Sequence, residues 1–439
     1  MSTIVQPAEG YAFVEYALVV NNKKLVFDPD TVSFISAELK DSVYTASTGL
    51  HTFRTTDPRF LESVKEAMIE ANPVMRYRLG FGTPNQRYWL PWQDHIITNF
   101  YAKFQGIGDT GGYLFVFSTA NDLVRMERAN KVTARKGTIS EIVTAIANEN
   151  KLDYVIEPTD GKFMLYQSFI DDTRFVWERC IPRAITTKGR SGFCLYIRDN
   201  VLHFHTQDYQ TTVREMNYYN VPGTELYVED LSQLSDAWDG GLAGVRVVAH
   251  DPYTGETKEV ESSPNNALRL ADSIYQFGNV NNGQRNTPYH LSFNPAVEVN
   301  ALAQTRYAFS RQKTFKCTAS IAKTIVIRHG DLLDFNITQQ ASRASSYSGY
   351  YYVTGVFHSV KKQAVNSTYT LERGEISGLS QDLTVQSSNQ QLVQVTKAPG
   401  QDPNIIEAQS SEKTKGAGKQ SSATTYAAIA DANVPLSGS

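Results

Sequence analysis

Cysteine is sparse in this chain: Cys180, Cys194 and Cys317 are the only three, and none belongs to a C-x-x-C pair. An odd, scattered set cannot form a disulfide framework, so three small buried thiols in a reducing compartment are expected. Charge of one sign is also lacking. Forty-two basic against 45 acidic residues leave a formal net charge of -3. That excludes general nucleic-acid binding through a broad basic surface and leaves at most a local basic patch. No apolar run approaches the roughly 18 residues a membrane helix requires. The first seven residues carry neither a basic stretch nor an apolar run to follow it, so synthesis in a cytoplasm without an export signal is expected.

What the chain does have is length and aromatic side chains. Its 439 residues suggest about two to four domains. The apolar share of 41% is enough for a sizeable core, and 24 Tyr and 21 Phe, many in alternating runs, favour β structure. Strands are expected at 11–20, 32–39, 75–81, 88–92, 96–104 and 113–117, with turns at Asn21-Asn22 and Asp28-Pro29-Asp30. One helix interrupts them. Asp57 can cap it, Pro58 suits its first turn, and Phe60/Leu61, Val64 and Ala67/Met68 share a face. The clearest helix lies at 137–150, where Thr138 and Glu141 form a capping box ahead of the stripe Ile139, Ile142, Val143 and Ile146. Helical spacing returns at 172–181, followed by a hairpin from 193–197 through Arg198-Asp199-Asn200 to 201–205. A less regular stretch, 206–290, contains a strand at 244–249 and a turn at Asp251–Gly255. A helix opening at Asn294-Pro295 then leads into strands at 314–322, 324–328, 331–338, 350–359 and 368–373. Beyond about residue 377, Ser, Gln, Thr, Ala and Lys dominate. A segment this polar buries too little to offset its ordering entropy alone.

The tempting chemical motifs fail on context. Gly106, Gly108 and Gly111 match G-x-G-x-x-G, but a strand-like run, Tyr113–Phe117, follows where a dinucleotide site needs a helix. His203 and His205 alternate along one strand and so share a face. Such a pair could hold zinc, yet no third ligand stands at suitable spacing, and His250 and His290 are remote. A polar strand face is the plainer reading, and structural roles are expected for His329 and His358. H-E-x-x-H and G-x-S-x-G are absent. Asp171-Asp172 suits a helix cap better than paired acid–base chemistry. No catalytic residue, metal ligand or cofactor is therefore assigned.

Three stretches, in order, carry a resemblance. The first comprises Val116–Leu123, Lys136–Val143 and Ile146-Ala147 through Leu152–Ile156. The second is Gln167–Phe175 with Val201–Phe204 downstream. The third comprises Ile325–Phe335, Ser348–His358 and Tyr369–Arg373. Spread over about residues 11–375, this order resembles the baseplate hub proteins of contractile tails: the late control protein D family and the hub part of type VI secretion spikes. Where the family has a longer, regular helix, this chain has Arg179-Cys180-Ile181-Pro182.

The resemblance implies an α+β, mainly β fold with two tail-tube-like β-barrel domains, an intervening α/β module and an extended C-terminal arm. The corresponding division is 1–122 and 291–376 for the barrels, 123–210 for the α/β module, 211–290 for an irregular β-rich connection and 377–439 for the arm. It also implies a homotrimer bound to the tail tube protein and the central spike protein, with the tape measure protein and baseplate wedge proteins as further partners. DNA would meet the chain only in passage through the channel. Such a protein is assembled in the host cytoplasm and resides in the tail baseplate of the virion. The alternatives are a hub of a non-viral contractile injection system and, in a different class, a tail-associated cell-wall hydrolase. In the arm, the aliphatic and aromatic islands Leu392, Val393, Ile405, Ile406, Tyr426, Ile429 and Leu436 are the expected partner-docking residues.

Overall fold

The computed structural model describes residues 11–20, 23–26, 32–69, 73–83, 86–105, 111–128, 130–207, 209, 213–219, 228–233, 245–250, 257–261, 285–290, 302, 305, 315–322, 327–338, 349–361, 364–373 and 393–396. It is mainly β, with helices concentrated in the middle third of the chain.

The N-terminal strands are β1 (Tyr11–Val20), β2 (Lys23–Val26), β3 (Val32–Ser42), β4 (Thr48–Thr55), β5 (Val74–Thr83), β6 (Gln86–Trp89), β7 (Gln93–Gln105) and β8 (Gly112–Ala120). Helix α1 (Pro58–Ile69) separates β4 from β5, and Asp57 accepts the Arg59 amide at its start, as the sequence implied. Alternation decides which face is inside. In β4, Gly49, His51, Phe53 and Thr55 point inward, and the residues between them face outward or lie half-buried. Phe53 stacks on Phe115 and meets Tyr16 and Phe117 edge-on. Val64 of α1, with Met75 and Leu79, joins the same core. The glycine-rich stretch after β7 joins antiparallel strands, Gln105 opposite Gly112, which is a hairpin and not a nucleotide loop.

The middle third holds α2 (Leu123–Met126), β9 (Lys131–Gly137), α3 (Ile139–Glu149), β10 (Asp153–Ile156), β11 (Phe163–Ile170), α4 (Asp172–Phe175), β12 (Cys194–Arg198) and β13 (Val201–His205). The capping box forms as expected: Thr138 accepts the Glu141 amide and Glu141 accepts the Thr138 amide. Ile139, Ile142, Val143 and Ile146 are buried, each worth about 1.5–3 kcal/mol. The helix expected at 172–181 is α4 for only four residues. It then widens into a π turn over Val176–Cys180 and tightens to a 3-10 turn over Ile181–Arg183. Pro182 supplies the reason, because it has no amide to continue the α-helical ladder and its ring crowds the preceding turn.

The C-terminal strands are β14 (Val213–Tyr219), β15 (Val228–Gln233), β16 (Val245–His250), β17 (Thr257–Glu261), β18 (Arg285–His290), β19 (Phe315–Ala322), β20 (Leu332–Thr338), β21 (Gly349–Lys361), β22 (Ala364–Arg373) and β23 (Val393–Thr396). Strands β16–β18 form a small sheet of their own. Ile327 and Arg328, expected at the end of a strand, instead precede a turn. The turns at 21–22, 28–30 and 251–255 lie outside the described residues, as does most of the helix expected from Asn294.

The same neighbour order occurs twice in the large sheet. Six N-terminal strands run β3-β4-β8-β7-β5-β1 across the large sheet, and six C-terminal strands run β15-β19-β22-β21-β20-β14. Numbered within each set, both read 2-3-6-5-4-1. All neighbours are antiparallel except β14 and β20, which run parallel. The two sets fuse into one 15-stranded sheet where β21 pairs with β3, Gly355 opposite Ser42 through Lys361 opposite Ser36.

Candidate functional site: a buried polar junction

The tip of the β12–β13 hairpin is a two-residue turn, Asp199-Asn200, with φ of 53° and 62°. Asn and Asp tolerate this left-handed region better than other side chains, and two such residues in succession match the twist of the flanking strands. The turn projects from the α/β module into contact with both strand sets. On the N-terminal side, Gln93 Nε2 donates to Asp199 Oδ1 at 2.7 Å. The Asp94 amide donates to Asn200 Oδ1 at 2.9 Å, and Asn200 Nδ2 donates to the Trp92 carbonyl at 3.2 Å. On the C-terminal side, Arg328 Nη2 donates to Asp199 Oδ1 at 3.0 Å and Arg198 Nη1 to Asp331 Oδ1 at 2.8 Å.

The C-terminal contribution is the turn Arg328-His329-Gly330-Asp331. Asp331 accepts the Arg328 amide at 3.0 Å, closing the turn, and is fully buried, while its partner Arg198 keeps a small exposed part. His329 Nε2 donates to the Ile197 carbonyl at 3.0 Å. Gly330 has φ +81°, and a Cβ there would overlap the Tyr196 hydroxyl. Burial alone would raise the Asp199 carboxyl, but Arg328 and Arg198 outweigh it and hold it below the usual carboxylate value. Two carboxylates and two guanidiniums thus compensate one another.

Further buried histidines lie within the strand sets and along β13. His51 Nδ1 meets Tyr16 Oη at 3.2 Å and its Nε2 meets Thr119 Oγ1 at 3.1 Å; His95 meets the same Thr119 oxygen at 3.2 Å and Tyr77 Oη at 3.4 Å. Burial, with His95 nearby, pushes His51 down to about 3, and burial also pushes His95 and His358 down to about 4. All three are therefore neutral hydrogen-bonding groups at pH 7. His203 and His205 do share a face, their rings 5.4 Å apart. His205 Nδ1 donates to the Thr206 carbonyl at 2.7 Å, while its Nε2 faces Tyr196 Oη at 3.2 Å and His203 Nδ1 at 3.3 Å. His203 lies flat against Tyr196. These nitrogens are engaged in tying β12 to β13. Among the described residues no group of three or more His, Cys, Asp or Glu is arranged to hold a metal.

Asp171 caps α4 by accepting the Arg174 amide at 2.7 Å. Asp172 does more than the capping role expected of it. It is buried and takes Lys131, Asn150 and Gln167. Cys180, Cys194 and Cys317 are buried thiols outside any disulfide, and burial raises the Cys180 thiol to about 12, which leaves it unreactive at neutral pH. Of the seven arm residues expected to dock a partner, Val393 opens β23, which pairs antiparallel with β6. Leu392, Ile405, Ile406, Tyr426, Ile429 and Leu436 lie outside the described residues. No described helix is long and apolar enough to cross a membrane.

His203 and His205 stood out in the sequence as a conceivable ligand pair, with a polar strand face the plainer reading, whereas Arg198, Arg328, Asp331 and Gln93 take roles that arise only on folding. The one local signal was Arg198-Asp199-Asn200, read as a turn and not as a contact surface. Chemically, the arrangement locks: it sets the hairpin of the α/β module at fixed register against both strand sets.

No family model matches the sequence, and no curated protein matches it. Solved structures do resemble the fold. A tail protein from Neisseria meningitidis MC58 is similar with a TM-score of 0.55 and 11% identity, covering 82% of this chain and 96% of that one. The 43 kDa tail protein of prophage MuSo2 from Shewanella oneidensis gives 0.53 and 9%, covering 82% and 98%. A chain of the lidded Francisella PdpA-VgrG complex gives 0.50 and 8%, covering 83% of this chain and 53% of that one. The mainly β fold is that of phage tail proteins, matched over nearly their whole length.

Proposed function

We propose that the chain is the structural hub of a contractile phage tail baseplate. Three copies close a ring that joins the six-fold tail tube to the three-fold central spike, around a channel for tape measure protein and then DNA. The observation that carries this reading is the duplicated strand order. Two sets sharing the order 2-3-6-5-4-1 in one chain give three chains six similar units, enough to face a six-fold ring. Each set is read as one tube-like barrel, and the buried junction holds the pair at a fixed mutual angle. A near-neutral charge suits a channel that does not grip DNA. No catalysis is assigned, because the polar groups of the junction serve as structural ties.

The Francisella likeness favours one second reading, the hub of a non-viral contractile injection system, which keeps the same architecture. The mass of the assembled ring tests both: about 147 kDa, three times 49.0 kDa, is expected, and a six-copy mass contradicts the adaptor. Residues 377–439 are read as an arm that binds a neighbouring subunit, spike or tube through its apolar islands. Truncation after Gly378 should leave the ring intact and weaken attachment of the next component; unimpaired particles would show the arm to be dispensable.

A further inference from the structure

Strands β9 and β11 pair only with each other among the described residues, forming a two-stranded ribbon. One face packs inward. The other presents Val132, Met164, Tyr166 and Phe169, four of the ten exposed large apolar side chains described. Exposed patches of this kind mark interaction surfaces. Phe169 is the unusual member: it is 75% exposed and sits at φ +53° in a bulge between Ser168 and Ile170. A bulky residue in the left-handed region is strained, so the surrounding structure must impose it.

The buried side of the ribbon does so. Gln167 Nε2 donates to the Ile170 carbonyl at 3.0 Å, bridging the bulge, and to Asp172 Oδ1 at 2.9 Å. Arg135 Nε donates to Gln167 Oε1 at 3.2 Å and grips Glu149 with two bonds of 2.8 and 2.9 Å. A locked polar network therefore aims an aromatic ring at solvent. Two exposed cations stand at the other end of the ribbon face, Lys136 opposite Met164 in the ladder and Lys162 two residues before Met164.

A complementary surface exists on this same chain. The outer face of α1 carries Glu62, Glu66 and Ile69 along one stripe, and the sequence continues to Glu70. Glu62 shares Lys65 at 2.9 Å. Ile69 is 86% exposed, the highest value among the described large apolar residues, with Phe169 second.

We propose that the β9–β11 ribbon face is the docking surface for the outer face of α1 from a second copy of the chain, with Ile69 seated against Phe169 and Tyr166 and the glutamates facing Lys136 and Lys162. Ribbon and helix are different surfaces, so the contact is head-to-tail, and repetition of such a contact closes a ring. It buries the two most exposed apolar side chains together. This inference rests on the ring reading above and names the contact that would build it.

Cross-linking tests it directly, since the natural cysteines are buried. A chain carrying Ile69→Cys and Phe169→Cys, assembled and mildly oxidised, should give disulfide-linked dimers and trimers on non-reducing gels, whereas either single variant should not. Lys136→Glu with Lys162→Glu should weaken ring assembly at least tenfold, and adding Glu62→Lys with Glu66→Lys should restore most of it. Phe169→Gly separates docking from folding: relief of strain should raise the melting temperature of the isolated chain while assembly falls. Rings of the double-cysteine chain that form with no disulfide between positions 69 and 169, or unchanged affinity in the charge variants, would overturn the proposal and leave the ring reading standing. Rings that form normally but lose another tail protein would assign the ribbon to that protein and likewise overturn it. Failure of the unaltered chain to form any ring would instead count against the ring reading itself.

Discussion

Replacing Asp331 by Ala should be among the most damaging single changes in the described structure. The carboxylate is fully buried and holds Arg198 at 2.8 Å and the Arg328 amide at 3.0 Å. Its removal strands a buried guanidinium, a loss of about 3–5 kcal/mol. It also strands an amide, at about 1–3 kcal/mol. The two overlap, because Arg198 still reaches the His329 carbonyl at 3.2 Å and lies 3.9 Å from Asp199, so a total of about 4 kcal/mol is expected. Arg198→Met paired with Asp331→Leu removes both charges at once and should cost about 1–2 kcal/mol, because well-packed apolar replacements of a buried pair are often neutral. The double-mutant cycle should therefore give a coupling above about 2 kcal/mol. Urea unfolding followed by tryptophan fluorescence reads it, since the Trp92 carbonyl accepts Asn200 beside the junction. A cost below about 1 kcal/mol for Asp331→Ala would refute the view that this junction holds the three parts together.

Gly330→Ala should destabilise by about 2 kcal/mol, from its positive φ and the overlap with the Tyr196 hydroxyl. Tyr196→Phe should recover part of that loss, and full tolerance of Ala would contradict the turn geometry. Acid should weaken the fold. His51, His95 and His358 have folded values depressed to about 3, 4 and 4 against an unfolded value near 6.5, so the unfolded chain takes up protons first. The stability these groups allow is complete above about pH 6.5 and is lost as pH falls towards 4. Between pH 6.5 and 5.5 the three together should lose about 3 kcal/mol, and His51→Leu should flatten the slope by about a third. Thermal melts across that range check both, and a pH-independent melting temperature would show these histidines to be hydrated.

Much of the local structure was legible before folding was considered. The Thr138–Glu141 box and its apolar stripe define α3 because capping and periodicity act within a few residues. The glycine run was readable as a hairpin for the same reason, since a strand follows it directly. What was hidden is long-range. The pairing of β3 with β21 joins segments about 300 residues apart, and Arg198 with Asp331 are separated by 133 positions. Neither leaves a mark on composition or spacing. The resemblance implied two tube-like units, but their shared strand order was not legible: the repeat is one of neighbour order and not of residues, and the second set draws β14 and β15 from 213–219 and 228–233, ahead of the inserted β16–β18 sheet. Pro182 announced a departure from a regular helix, but the π turn it imposes is visible only in the folded backbone.

The most direct test of the central claim is a cryo-electron microscopy reconstruction of the assembled tail end, computed without imposed symmetry. The account predicts three copies of this chain in one ring, each contributing its two strand sets as alternating barrels in a pseudo-six-fold layer between tube and spike. A ring of six copies, or a layer in which the two sets occupy non-equivalent positions, would contradict it.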